Sequence, residues 1–179
     1  MMLQNSADRY GLLAKSLHWI IALLIIGLLW LGWYMVDLTY YDPWYYDSLA
    51  IHKALGMVVL LLALLTIFWH FYSRPPAYES TLKSWERLAA RITHTLLFAA
   101  MVAIPITGYL ISTSEGEAVS IFGWITIPAL FPINDEVRNL AIDLHYYLAY
   151  GTAGLVLVHA LAALKHQFVD RDNTLKKML

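Results

Sequence analysis

Four apolar stretches, each about 20 residues long, constrain this 179-residue chain more than any other feature. A helix of about 20 apolar residues is long enough to cross the hydrocarbon layer of a bilayer. The stretches are about 17–36, 51–72, 89–112 and 140–164. With 60% hydrophobic and only 14% charged residues, the chain carries more apolar surface than one soluble core of its length can hide. A soluble enzyme and a disordered chain are both excluded. The first stretch is too long for a cleaved signal peptide, and no small-residue cleavage site follows it. Pro105, inside the third, removes a backbone donor and predicts a kink. A fifth apolar run, Val119 to Phe131, is short and broken by Gly123 and Pro128, so it reads as an interfacial loop. The expected architecture is all-α: one four-helix transmembrane bundle over residues 1–179.

Loop charges orient the bundle. Ten of the twelve Lys and Arg residues lie with the N-terminus, the Ser73–Leu88 linker and the C-terminal tail. Lys53 and Arg138 are the two on the other side, beside eight of the thirteen acids. The cationic side is expected to be cytoplasmic, with both termini there. Tyr34, Tyr40, Tyr41, Trp44, Tyr45 and Tyr46 crowd the outer end of the first hairpin and read as an interfacial belt. A net charge of −1 gives no basis for nucleic-acid binding.

The absence of cysteine excludes disulfides, thiolate-held iron–sulfur clusters and thioether-linked haem. Seven histidines remain, and intramembrane ionisable groups demand partners. His145 and His159 lie fourteen residues apart on the fourth span, which is about 21 Å along a helix and only about 40° from the same face. One metal atom cannot reach both, so two stacked sites are needed, each completed from another helix. His52 alone shares the outer depth. At the inner depth His18, His70 and His94 are all candidates. A small residue follows four positions after His18 (Ala22), His52 (Gly56), His145 (Ala149) and His159 (Ala163), leaving a flat face beside each imidazole. Arg74, Phe98 and Asp170 follow the other three histidines, which favours His18. Bis-histidine ligation of two b-type haems in a bundle core fits this pattern.

With these residues placed, the sequence resembles the bacterial cytochrome b561 family. The segments carrying the resemblance are RYG at Arg9–Gly11, LHW at Leu17–Trp19, IHKALG at Ile51–Gly56, GYLIST at Gly108–Thr113 and the tail His159–Met178. The resemblance implies a multi-pass protein of the bacterial inner membrane with two haems b stacked across it. It implies His18 with His159 for the inner haem iron and His52 with His145 for the outer. It also implies electron exchange between the periplasmic side and the quinone pool, with ubiquinone as partner. One branch of the family oxidises superoxide. The acidic outer loops argue against drawing in an anion, although Lys53 beside His52 is a possible outer anion contact.

Quinone chemistry needs a nearby proton donor or acceptor, and Arg91, His94 and His166 are the candidates for it on the inner side, with Lys165 beside them. Asp143, one turn into the outer end of the fourth span, is a candidate for outer proton transfer or simply a helix N-terminal acid. Two other readings use the same residues. A metal-ion transporter would need intramembrane carboxylates, and Asp143 alone qualifies. A haem-bearing membrane anchor would need a docking surface for a soluble or periplasmic redox partner, for which the 119–131 loop with Trp124 is the candidate.

Overall fold

The computed structural model describes residues 2–179. Its main elements are α1 (Leu12–Met35), α2 (Tyr45–Tyr72), α3 (Ser84–Thr113) and α4 (Asp135–Lys165). All four are long and apolar enough to cross a membrane, which makes the fold a four-helix transmembrane bundle. Helices α3 and α4 begin in polar turns ahead of their apolar cores. At α4, Asn134 accepts from the Val137 N–H at 2.9 Å, and Asp135 and Glu136 occupy the positive end of the helix. Helix α3 runs through the buried Pro105.

The helices pack in chain order: α1 on α2, α2 on α3, α3 on α4. Helix α4 makes no comparably close packing with α1 or α2 among the described residues. Close approach where it occurs depends on small side chains. Ala54, Ala63, Ala100 and Ala141 are all buried, as expected where helices associate in lipid through small residues. Most larger apolar side chains, including Leu23, Leu61 and Leu157, face outward to the bilayer.

The 119–131 run is not a simple loop. It forms a short antiparallel hairpin, β1 (Val119–Ile121) with β2 (Ile125–Ile127), Val119 facing Ile127. Phe122 and Gly123 both have positive φ, 51° and 76°, and the Trp124 N–H closes the turn on the Ile121 carbonyl at 3.0 Å. That is the turn whose twist matches a tight hairpin, and it overrides the broken apolar pattern. Val119 is buried, while Trp124 at the tip is 90% exposed. The Tyr109 hydroxyl pins the following segment, donating to the Pro128 carbonyl at 2.7 Å and accepting from the Leu130 N–H at 2.9 Å.

The opposite end is tied by the two terminal segments. Asn5 bonds both the carbonyl and the hydroxyl of Ser73 at the end of α2. Helix α4 widens into a π-turn at His166–Asp170, and Arg171 then reverses the chain with φ 56°. The returning tail reaches α1, where Lys15 donates to the Leu179 carbonyl and the Trp19 indole to Met178. Lys165 bridges Glu86 on α3 and Asp170, at 2.6 and 2.7 Å. His166 Nδ1 lies 2.9 Å from Asp172 and 3.0 Å from Asp170.

Asp172 holds the fold of this tail. Burial alone would raise its carboxyl, but the Thr174 N–H and the His166 imidazole outweigh burial and keep it below its ordinary value of 3.8. A depressed carboxyl stabilises fully above its unfolded value and stops doing so as pH falls through the lower folded value. The tail should therefore stay docked above pH 3.8 and loosen in more acid solution. Asp172→Ala should produce the same loosening at neutral pH, seen as roughly tenfold faster hydrogen exchange at the Thr174 amide.

Candidate functional site

Two pairs of imidazoles face each other across the gap that α4 leaves with α1 and α2. His52 on α2 and His145 on α4 have ring centres 6.1 Å apart and planes inclined by 65°. His18 on α1 and His159 on α4 are 6.2 Å apart, inclined by 63°. An imidazole nitrogen lies about 2 Å from a metal it binds, and its ring centre about 1.1 Å further back, so two imidazoles on opposite sides of one iron have centres roughly 6.2 Å apart. Both pairs have that spacing. All four histidines are half-buried.

A cavity of about 520 Å³ adjoins the His52–His145 pair, within the range of ligand sites. Gly56 and Ala149, each one turn beyond a histidine, both line it. So do Leu29, Met57 and Ile104, giving an apolar wall, and Lys53 and Ser112 are among its few polar residues. A small-residue contact from a neighbouring helix seats each ring. A Cβ on Gly32 of α1 would lie 3.2 Å from His52 Cε1, and one on Gly108 of α3 would lie 3.1 Å from His145 Cε1. His145 Nδ1 also meets the Ile104 carbonyl at 3.0 Å and the Thr107 hydroxyl at 3.1 Å, both on α3. His52 Nδ1 is buried with no partner. The spacing, the cavity and the seats fit a flat, apolar metallocycle held by two imidazoles.

The remaining sequence candidates separate. His94 on α3 lies beside His159, with ring centres 5.3 Å apart, closer than two collinear ligands of one metal would be. His70 is exposed at the end of α2 and packs edge-on to Phe98, 5.8 Å away, not against His159. His166 is buried between Asp170 and Asp172, held by the tail network. Arg91 is exposed on α3, as is Asp143 on α4. Lys53 makes no ion pair among the described residues. Gly32, Gly108, Thr107 and the Ile104 carbonyl were missed as site residues. Gly108 did fall inside one recognised segment, but a backbone carbonyl leaves no mark on a sequence.

Comparison with known proteins gives the family. Residues 9–179 match the family described as prokaryotic cytochrome b561. The chain is 38% identical over 179 residues to cytochrome b561 homolog 2 of Escherichia coli (strain K12), covering 100% of this chain and 95% of that protein. It is 29% identical over 174 residues to the probable superoxide oxidase CybB of Yersinia pestis, covering 96% of each. It is 31% identical over 113 residues to cytochrome b561 homolog 1 of Escherichia coli (strain K12), covering 63% of each. The chain belongs to the prokaryotic cytochrome b561 family of membrane electron-transfer proteins that carry haem b.

Proposed function

We propose that residues 1–179 form one unit that carries electrons across the bacterial inner membrane between the periplasmic side and the quinone pool. His18 and His159 hold one haem b, and His52 and His145 the other. The observation that carries this reading is the pair of imidazole–imidazole gaps, 6.2 and 6.1 Å, at two depths along α4. Haem b held by these histidines would supply reversible one-electron chemistry. The protein fixes ring orientation, separates the two sites along α4 and surrounds them with apolar side chains. The end bearing the termini faces the cytoplasm, because ten of the twelve cationic side chains gather there.

On that cytoplasmic side His94 is the residue placed to exchange a proton with a quinone, since it adjoins His159 and lies within the span. Arg91, one turn nearer the surface, would steer the quinone head-group. His166 is a poorer candidate, because both neighbouring carboxylates already engage its Nδ1. A second reading, superoxide oxidation, is favoured by Lys53, which lines the cavity next to His52 and is free of a carboxylate partner among the described residues. The eight outer acids oppose it by repelling an anion from bulk solution.

Purified protein from haem-sufficient cells should show low-spin b-type absorption at two haems per chain. His145→Ala should remove one haem and leave the other; colourless protein, or loss of both haems together, contradicts the ligand assignment. Gly108→Leu should also lose the outer haem selectively, because its side chain would occupy the place of His145 Cε1. Gly108→Ala leaves a contact a few tenths of an ångström too close and should retain most of that haem. In quinone-loaded liposomes, quinol offered inside should reduce both haems. Reduction by superoxide offered outside, abolished in Lys53→Glu, would select the second reading; no reduction by superoxide rejects it.

A further inference from the structure

The two imidazoles of the outer pair are not held alike, and the difference has a chemical consequence. A carbonyl oxygen has no proton to give. The 3.0 Å contact between His145 Nδ1 and the Ile104 carbonyl therefore requires the proton on Nδ1. Thr107 donates its own hydroxyl proton to that same carbonyl, at 2.8 Å. Its oxygen lone pairs then face His145 Nδ1 at 3.1 Å, and the Nδ1–H is shared between two acceptors. Nε2 is left unprotonated and available to iron. His52 has neither acceptor: its Nδ1 is buried and unpartnered.

A ring N–H drawn toward acceptors makes the opposite nitrogen a stronger donor to its metal. A stronger donor favours the ferric state and lowers the reduction potential.

We propose that Thr107 is a positioning residue for the outer haem: with the Ile104 carbonyl it fixes the Nδ1–H tautomer of His145, strengthens that ligand relative to His52, and so sets the outer potential. The proposal rests on His52 and His145 being the outer ligands. It adds a residue on α3, a helix that contributes no ligand. Thr107 is itself buried and sits two residues after Pro105. Its hydroxyl makes a bond to the carbonyl three residues back, a local bond open to Ser and Thr but not to Val.

The test uses the full chain, purified with both haems bound. Redox titration followed optically gives the two midpoint potentials, and low-temperature electron paramagnetic resonance gives each ferric haem's low-spin signal. His145→Ala identifies the outer signal by removing it. Thr107→Val should move the outer midpoint to a more positive value and shift the outer low-spin signal, while the inner haem keeps both unchanged. Thr107→Ser should restore the native outer values. If Val lowers outer haem content too far to titrate, retention of the native signal in Ser alongside loss in Thr107→Ala supports the proposal, and loss in Ser overturns it. An unchanged outer haem in Val, an equal shift of both haems, or a Ser variant that behaves like Val also overturns it. Failure of the underlying ligand assignment is distinguishable, because the unaltered protein would then lack two bis-imidazole signals before any Thr107 variant is made.

Discussion

A polar imidazole inside a hydrocarbon layer costs free energy until something satisfies it, and this bundle carries six histidines within its four apolar stretches. The chain meets that cost by holding helices apart rather than by closing them. α4 carries one member of each histidine pair and packs on α3, not on α1 or α2, which carry the other members. Closing that gap with side chains would trap unpartnered ring nitrogens. Leaving it at about 6 Å between ring centres leaves room for a metal between the rings of each pair. The buried alanines on α2, α3 and α4 suit the close packing of the helices in chain order.

How much of this could be read without coordinates depended on whether the signal was periodic. Helical phase put His145 and His159 on one face at two depths, and depth alone chose His52. Phase does not exclude His70, which lies five whole turns from His52, and it says nothing of His18 and His94, which belong to other helices. The small-residue pattern favoured His18, and Gly56 and Ala149 do line the cavity. Yet the glycines that touch the rings, Gly32 and Gly108, belong to neighbouring helices. Spacing within one helix carries no information about which residue of another helix it meets. The hairpin at 119–127 was hidden for a different reason: a turn with positive φ at Phe122 depends on strand pairing across it, not on Phe as a turn former.

The two ends of the bundle solve different mechanical problems. At the end with the termini, polar side chains do the bracing: Asn5 on Ser73, Lys165 between Glu86 and Asp170, and Asp172 on His166. At the other end, aromatic residues and a hairpin do it, with Tyr109 anchoring the backbone near Pro128. Salt weakens the first kind of brace and leaves the second largely intact. Among the described residues the ion pairs all lie at the cation-rich end, whereas Lys53 at the opposite end makes none, although eight acids lie on its side.

That asymmetry extends to the two histidine pairs. In the His52–His145 pair α3 bonds the Nδ1 of His145, while the Nδ1 of His52 is buried without a partner. The His18–His159 pair has a third imidazole, His94, beside His159 from α3. In both places α3 touches the α4 histidine, once through a carbonyl and hydroxyl and once through a ring. α3 therefore works as the element that distinguishes two otherwise similar sites. Pro105 lies in the same stretch of α3: it has no N–H to give the carbonyl of Met101, four residues back, and it directly follows Ile104, whose carbonyl meets His145. On the proposed reading, two haem sites held alike would have similar potentials and give electrons no preferred direction. A third helix that treats the α4 histidines differently gives the pair a built-in difference in chemistry.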